Sequence, residues 1–237
     1  MPPIPSRPAL FIDVDGTLVP IVGRPHEVRP DVALLEQLGR LHLALDGALA
    51  ILSGRTLADI DAVLAPLVLP AAGVHGAERR RADGVTVRAR LETRLLDDAR
   101  AALREITRRN PRLRMEDKGL ALAVHYRDAP EGFCELNATM SKLMIGLGDR
   151  YQVQPGVAVL ELKPRECDKG SALKAFMSEA VFRDRQPVVL GDDITDLDAF
   201  RAAEESGGMS VAVGERIDGQ WRLADPLAVR RWLSGFV

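Results

Sequence analysis

The chain of 237 residues is long enough for one large domain or two small ones, and its 46% hydrophobic residues fit a globular protein with its own core. A formal net charge of −2 argues against a broad basic surface for nucleic acid, and no stretch reaches the roughly 18 apolar residues of a membrane span. The N-terminus lacks a signal-peptide pattern, and the two cysteines lack metal-ligand spacing. We therefore expect a reduced, cytoplasmic protein with no nucleic-acid or membrane partner.

The first third of the chain alternates continuous apolar runs with helical patterns. In chain order we predict a strand at residues 10–14, a helix at 34–45, a strand at 48–52, a helix at 57–64 and a short apolar run before residue 73. Thr56 fits the N-cap of the second helix. Continuous apolar strands that alternate with helices are typical of parallel strands buried on both faces.

The middle of the chain changes character, and we interpret residues 80–162 as a small α+β module inserted into the first domain. Its predicted elements are a helix at residues 95–106, a strand at 120–126, a helix at 133–147 and a strand at 157–163. Glu161 and Lys163 fall on one face of the last strand, because side chains alternate along a strand. The predicted domains are a core of residues 1–79 and 163–237 and the insertion of residues 80–162.

The α/β alternation resumes after Lys169. We predict a helix at residues 170–180, a strand at 187–190, a helix at 196–203 and a strand at 209–213. The predicted fold class is therefore α/β, a doubly wound core with a parallel sheet and a smaller α+β insertion.

Acidic and hydroxyl side chains stand at the carboxyl ends of three predicted strands: Asp13 with Asp15, Ser53, and Asp192 with Asp193. Ligands of open α/β sheets bind at this edge, so we expect these side chains to share one crevice. Clustered carboxylates repel unless a cation compensates them, and hard oxygen ligands favour Mg²⁺. A carboxylate beside Mg²⁺ can attack phosphorus and form an aspartyl phosphate, while the metal and a lysine spread the developing charge.

Each of these features also has a purely structural interpretation. Asp-x-Asp-Gly is a common turn, Ser53-Gly54-Arg55 before a helix can be only a cap and a turn, and Lys169 alone can be a surface lysine. Three acids within residues 192–196 at a strand end, however, serve no packing purpose. Together and in this order, the features indicate chemistry rather than turns.

The chain resembles the haloacid dehalogenase superfamily. The motifs that carry this resemblance are, in chain order, DVDGT at 13–17, SGR at 53–55, Lys169 in DKG and GDDITD at 191–196. The chain is further similar to trehalose-6-phosphate phosphatases in VHGAE at 74–78, HYR at 125–127, ELKP at 161–164 and GDDITDLDAF at 191–200. The resemblance implies a Rossmann-like core and an inserted α+β cap domain that closes over the site and selects the sugar.

The resemblance also implies roles for the core residues. Asp13 would be the nucleophile, and Asp15 would protonate the leaving sugar oxygen and then activate water. Lys169 would neutralise charge on the phosphoryl group and on Asp13. The other implied residues are Thr17, Ser53 and the Gly54 N–H for phosphate, and Asp13, the backbone carbonyl of Asp15, Asp192 and Asp196 for Mg²⁺, with Asp196 behind the ligands or bound through water.

The resemblance implies sugar contacts for Arg55, His75, Glu78, Glu161 and Lys163. A histidine at a strand end is also commonly structural, so both roles stay open for His75, and packing or surface roles are favoured for His125 and Arg127. Family members commonly carry an acid directly after the last motif, where this chain has Leu197 followed by Asp198. The contact that this acid makes is then missing or supplied by Asp198.

The implied function is Mg²⁺-dependent hydrolysis of trehalose 6-phosphate through an aspartyl phosphate, in trehalose biosynthesis. We expect a monomer with a functional link to a trehalose-6-phosphate synthase. Two alternatives stay open: a phosphatase for sucrose, glucosylglycerol or mannosylglycerate phosphate, and a non-catalytic sugar-phosphate sensor or regulatory partner of the synthase. The intact set of Asp13, Asp15, Lys169 and Asp192 argues against the sensor. A phosphoryl-transfer ATPase would need nucleotide-binding and membrane segments that this sequence does not contain.

Overall fold

A computed structural model describes residues 1–21, 30–91 and 94–236, and the chain divides into two compact units. The core unit comprises Met1–Arg88 and Asp168–Val237, and the inserted unit comprises Ala89–Cys167.

The helices and strands of the described residues alternate along most of the chain. In chain order they are β1 (Pro8–Ile12), α1 (Val32–Ala44), β2 (Leu49–Leu52), α2 (Leu57–Leu64), β3 (Ala71–Gly73), β4 (Glu78–Arg80), β5 (Thr86–Arg88), α3 (Leu95–Arg109), β6 (Arg114–Asp117), β7 (Leu122–His125), α4 (Phe133–Leu147), β8 (Tyr151–Gly156), β9 (Val159–Pro164), α5 (Lys169–Met177), β10 (Gln186–Gly191), α6 (Leu197–Glu205), β11 (Met209–Val213), β12 (Trp221–Leu223) and α7 (Pro226–Leu233).

Within the described residues, the core unit forms an eight-stranded sheet in the order β12-β11-β10-β1-β2-β3-β4-β5. The strands from β12 to β3 are parallel, whereas β4 and β5 are antiparallel to their neighbours. Every residue of β1, β2 and β11 is buried, which explains why these strands appear in the sequence as continuous apolar runs. The predicted fold class is confirmed.

Side-chain caps determine where helices α2 and α5 begin. The Thr56 hydroxyl accepts the N–H of Asp59 at 3.1 Å at the start of α2. At the start of α5, Asp168 accepts the N–H of Ser171 at 2.6 Å, and the Ser171 hydroxyl accepts the N–H of Asp168 at 3.2 Å. These caps set the first residue of each helix, and Lys169 is thereby the first residue of α5. No helix in the described part of the chain is long and apolar enough to cross a membrane.

An aromatic cluster anchors β1 in the core unit. The ring centroid of Phe11 lies 5.4 Å from that of Phe182 and 5.9 Å from that of Phe176, and none of the three side chains is exposed. The Arg79 guanidinium lies over the Phe176 ring, 4.8 Å from its centroid, and pairs with Glu179. The strand that leads to Asp13 is therefore packed against α5 and the segment that follows it, as well as against its neighbouring strands.

The inserted unit is a separate α+β module. Among its described residues, the strands form one antiparallel sheet in the order β6-β7-β9-β8. Its core combines α3, α4 and one face of the sheet through Leu96, Leu103, Ile106, Leu122, Val124, Leu136, Met140, Tyr151, Leu160 and Leu162. Glu116, His125, Glu161 and Lys163 alternate with these apolar residues along β6, β7 and β9, and therefore lie on the opposite face.

Both boundaries of the inserted unit lie later in the chain than the predicted residues 80 and 162. At the first boundary, β4 pairs with β3 and β5 pairs with β4, so this hairpin extends the core sheet. At the second, the N–H of Arg165 donates to the carbonyl of Arg150 at 3.0 Å, which ties the residues after β9 to the inserted unit. The role of the inserted unit as a cap stays a prediction.

Candidate active site

The residues at the candidate site follow neighbouring parallel strands of the core sheet. Asp13 follows β1, Ser53 follows β2, and Asp192 follows β10, the strand on the other side of β1. The N–H of Asp13 donates to the carbonyl of Leu190 at 3.0 Å, and that of Ser53 to Ala72 at 2.9 Å. The strand ladders therefore hold these three residues at one edge of the sheet, as the sequence pattern predicts.

Three carboxylates form a buried cluster at this edge. Asp13, Asp192 and Asp196 each offer one carboxylate oxygen, and these oxygens lie within 4.8 Å of one another. The Nζ of Lys169 donates to Asp13 Oδ1 at 2.8 Å and to Asp196 Oδ1 at 2.6 Å, and Lys169 is only 3% exposed. A single buried ammonium group thus bridges two of the three acids.

Burial changes the protonation of both partners in this bridge. Burial raises the pKa of Asp13 from 3.8 to about 7; Lys169 offsets part of the rise, whereas the charges of Asp196 and Asp15 add to it. Burial alone would lower the pKa of Lys169, but the charges of Asp13 and Asp196 raise it above its ordinary value. The lysine therefore stays charged, while the Asp13 carboxylate is costly to ionise without a further cation.

Asp196 both belongs to the cluster and holds the loop after β10. Its Oδ2 accepts the N–H groups of Asp192 and Asp193, each at 3.0 Å. Gly191 is required next to it, because a Cβ at that position would lie 2.3 Å from the Asp196 carboxyl carbon. The Asp193 side chain accepts the N–H of Ile194 at 2.9 Å and so caps the short turn that follows.

Asp15 lies outside the three-carboxylate cluster, and its side chain pairs with Arg55. Arg55 Nε donates to Asp15 Oδ2 at 2.6 Å, and Arg55 Nη2 donates to Asp15 Oδ1 at 2.7 Å. The Arg55 side chain is 8% exposed and that of Asp15 is 35% exposed, so the carboxylate is held on its inner side and open to solvent on the other. Arg55, a predicted sugar contact, therefore orients the predicted proton carrier.

Two of the predicted phosphate ligands also make internal contacts. The Thr17 hydroxyl donates to Asp192 Oδ1 at 3.3 Å, which brings Thr17 to the acidic cluster. Ser53 Oγ accepts the N–H of Arg55 at 3.2 Å and so stabilises the turn after β2. A Cβ on Gly54 would lie 2.7 Å from the His75 imidazole, so that imidazole packs directly against the turn.

His75 and Glu78 both support this turn from the segment after β3. Val74 and His75 have φ angles of +48° and +54°, a conformation that L-residues rarely adopt, and the N–H of His75 donates to the carbonyl of Ser53 at 3.0 Å. Glu78 Oε1 accepts the N–H of Leu57 at 2.6 Å at the start of α2. The structure therefore gives both predicted sugar contacts a structural role, and a sugar contact for either stays a prediction.

Glu161 and Lys163 belong to the inserted unit and are buried on the polar face of its sheet. Lys118 Nζ donates to Glu161 Oε1 at 3.1 Å, and His125 Nε2 lies 3.0 Å from Glu116 Oε2. Burial alone would raise the pKa of Glu116, but the hydrogen bond with His125 and the charge of Lys118 hold it below its ordinary value. His125 thus takes part in a charged network, whereas the sequence favoured a packing or surface role.

Sequence reasoning missed two basic residues, Lys118 and Arg216. Arg216, in the loop after β11, pairs with Asp192 Oδ2, and its Nη1 lies 3.9 Å from Asp193 Oδ1. The available signal was its place after a strand that ends at the same sheet edge. Leu197 packs against the hydrophobic core. Asp198 pairs with Arg201 at 3.5 Å, so it does not supply the contact of the acid that family members carry at position 197.

The donor set of the cluster fits a hard divalent cation. All the candidate ligand atoms are carboxylate oxygens, and they are buried. Asp13, Asp192 and Asp196 contribute three carboxylates to the cluster, whereas Lys169 contributes a single ammonium group. Asp13 and Asp192 are the residues best suited to hold the ion, because the Asp196 oxygens already accept three hydrogen bonds. The backbone carbonyl of Asp15 as a ligand stays a prediction.

Comparison with known proteins covers nearly the whole chain. The trehalose-phosphatase family model matches residues 11–231. The chain is 40% identical over 234 residues to the trehalose-6-phosphate phosphatase of Escherichia coli (strain K12), which covers 98% of this chain and 88% of that protein. A crystal structure of a trehalose-6-phosphate phosphatase related protein superposes with a TM-score of 0.77 and 26% identity over 95% of both chains.

A second solved structure agrees in fold. The C-terminal domain of the C. albicans trehalose-6-phosphate phosphatase gives a TM-score of 0.84 and 24% identity over 97% of this chain and 92% of that one. The family predicted from the sequence motifs is thereby confirmed: the chain belongs to the trehalose-phosphatase family.

Proposed function

We propose that this protein is a Mg²⁺-dependent phosphatase that hydrolyses trehalose 6-phosphate to trehalose and phosphate through an aspartyl phosphate on Asp13. The observation that carries the proposal is the pair of differently held acids after β1: Asp13 is buried against Lys169, and Asp15 is fixed by Arg55. The substrate follows from the named activity of the E. coli relative, which is 40% identical.

In the first step, a carboxylate oxygen of Asp13 attacks phosphorus and the bond from phosphorus to the sugar oxygen breaks. Asp15 gives its proton to that oxygen, and the sugar leaves as an alcohol. In the second step, Asp15 takes a proton from water, the water oxygen attacks phosphorus, and Asp13 is released with free phosphate. Both Asp15 oxygens accept hydrogen bonds from Arg55, so Arg55 orients the group that carries the proton in both steps.

The surrounding residues hold the phosphoryl group during both steps. The ammonium group of Lys169 donates a hydrogen bond to Asp13, and its positive charge stabilises the negative charge that develops on the phosphoryl oxygens. Thr17, Ser53 and the N–H of Gly54 are proposed to contact the phosphate oxygens. Asp13, Asp192 and the backbone carbonyl of Asp15 would hold Mg²⁺, with Asp196 behind these ligands or bound through water, and the ion would offset negative charge on the phosphoryl oxygens when bound.

Sugar selection is proposed for the inserted unit. Glu161 and Lys163 are polar, buried and on one face of its sheet, which suits directional hydrogen bonds to hydroxyl groups. We also propose that the protein is a cytoplasmic monomer and that a trehalose-6-phosphate synthase supplies its substrate.

Phosphate release from a panel of sugar phosphates with Mg²⁺ tests the proposal. The panel contains trehalose 6-phosphate, sucrose 6-phosphate, glucosylglycerol phosphate and glucose 6-phosphate, with Asp13→Asn as the control. We expect strong preference for trehalose 6-phosphate and loss of turnover in Asp13→Asn. Turnover of another member would keep the chemistry and replace the substrate, whereas tight binding without turnover would favour the sensor.

A further inference from the structure

The fold brings the guanidinium of Arg216 into contact with Asp192, a carboxylate that the proposed function assigns to the metal. Strand β11 lies beside β10 in parallel register, with Ala212 opposite Gly191, so the loops after both strands leave the sheet at one edge. From the β11 loop, Arg216 reaches Asp192 Oδ2 and lies 3.9 Å from Asp193 Oδ1.

The backbone of this loop is well anchored, whereas the Arg216 side chain is not enclosed. Gly214 has a φ of +73°, which turns the chain after β11, and its N–H donates to the carbonyl of Leu223 at 2.9 Å. Ile217 is 8% exposed and packs into the core. The Arg216 side chain is 38% exposed, so it can swing into solvent without displacing other residues.

Both oxygens of Asp192 are engaged. Oδ1 accepts the Thr17 hydroxyl at 3.3 Å, and Oδ2 pairs with the Arg216 guanidinium. The Asp192 side chain is 3% exposed, so it depends on protein groups for compensation of its charge. Lys169 compensates Asp13 and Asp196, and Arg216 supplies the charge beside Asp192.

We propose that Arg216 is a tethered cation that pairs with Asp192 in the metal-free protein and competes with Mg²⁺ for it, so that Arg216 sets the Mg²⁺ concentration at which the site fills. This inference rests on the metal site of the proposed function. If the guanidinium stays beside the bound ion, charge repulsion lowers the affinity for Mg²⁺; if it withdraws into solvent, the affinity is lowered by the loss of its ion pair with Asp192. The same guanidinium stabilises the protein before the metal binds.

Titration calorimetry with MgCl₂ on chelator-treated protein tests this inference. Arg216→Gln keeps a hydrogen-bond donor and removes the charge, and we expect it to bind Mg²⁺ about three- to tenfold more tightly than wild type. Arg216→Lys keeps the charge and should stay near wild type. Arg81→Gln is the matched control, since the Arg81 side chain is 41% exposed and pairs with Asp83 at 3.0 Å, after a strand near the opposite edge of the sheet from β11; it should leave the affinity unchanged.

Melting in EDTA provides a second measurement that does not depend on activity. Arg216→Gln should melt below wild type in EDTA, because Asp192 loses its counter-charge, and the difference should close at saturating Mg²⁺. Unchanged or weaker Mg²⁺ binding by Arg216→Gln overturns the inference and leaves the proposed function standing if wild type binds Mg²⁺ and turns over substrate. A wild-type protein that binds no Mg²⁺ overturns both.

Discussion

Arg55 donates two hydrogen bonds to Asp15, at 2.6 and 2.7 Å, and thereby fixes the carboxylate proposed to carry the proton. Arg55→Lys keeps the charge but removes the planar pair of donors, so the carboxylate loses its set orientation. We expect kcat for trehalose 6-phosphate to fall about 10- to 100-fold, which is less than the full contribution of general acid–base catalysis, roughly 10²- to 10⁴-fold, because Asp15 itself is retained. Steady-state phosphate release measures this change.

A second arginine of the core unit offers the control for that variant. Arg80 makes the same two-donor contact with Asp61, at 2.8 and 2.6 Å, away from the acidic cluster. Arg80→Lys should therefore lose an equivalent contact while keeping turnover near wild type. Normal turnover in Arg55→Lys, or equal losses in both variants, would refute the positioning role of Arg55.

The residues of the cluster could be predicted from the sequence, but most of their partners could not. Asp13, Ser53 and Asp192 follow apolar runs, and the carboxyl ends of parallel strands must meet. The contact between Arg55 and Asp15 spans 40 positions, and that between Arg216 and Asp192 spans 24, so only the folded chain brings these side chains together. For Glu78, the motif identifies the residue but not its contact, because the sequence cannot distinguish a sugar contact from the hydrogen bond that Glu78 accepts from the N–H of Leu57.

Among the strands, the degree of burial determined which could be predicted from the sequence. Strands β1, β2, β10 and β11 lie inside the parallel sheet, and their apolar runs identify them. Strands β4, β5, β6 and β12 are short and carry charged residues, so periodicity does not reveal them. The arginines of β4 are stabilised by acids that lie elsewhere in the chain, Glu179 and Asp61.

Helix α5 connects local structure to the proposed catalysis, because its first residue is Lys169, which is proposed to neutralise charge on the phosphoryl group. Asp168→Ala removes the cap at its N-terminus, where Asp168 accepts the N–H of Ser171 at 2.6 Å. We expect the free energy of unfolding to fall by about 1 kcal/mol and kcat to fall several-fold, because fraying of the first turn moves Lys169 off Asp13. Denaturant unfolding and phosphate release measure the two effects, and Asp168→Asn should restore both.

The matched control for this helix cap is Asp225→Ala in α7. Asp225 accepts the N–H of Ala228 at 2.7 Å, so its loss should cost similar stability at a helix that carries none of the proposed catalytic residues. Turnover should then stay near wild type. A kcat loss of the same size in both variants would mean that general destabilisation, rather than the position of Lys169, is responsible.

For the molecule as a whole, the acidic cluster makes stability depend on pH when no metal is bound. Burial raises the pKa of Asp13 from 3.8 to about 7. The folded protein therefore holds this proton between about pH 4 and pH 7, whereas the unfolded chain has released it. Since the folded state binds more protons in this window, raising the pH across it lowers the contribution of Asp13 to the free energy of unfolding.

Asp13→Asn tests this cost directly, because it keeps the size of the side chain and removes the charge. In EDTA at pH 8, we expect Asp13→Asn to melt a few degrees above wild type, since ionised Asp13 is then a net cost to the fold. At pH 5 the difference should shrink, because Asp13 already carries its proton in the folded protein. Saturating Mg²⁺ at pH 8 should reverse the order, because wild type alone keeps all the carboxylates that are proposed to bind the ion. Melting of Asp13→Asn below wild type in EDTA at pH 8 would mean that the contact of Asp13 with Lys169 outweighs the cost of burial, and the raised pKa of Asp13 would then be wrong.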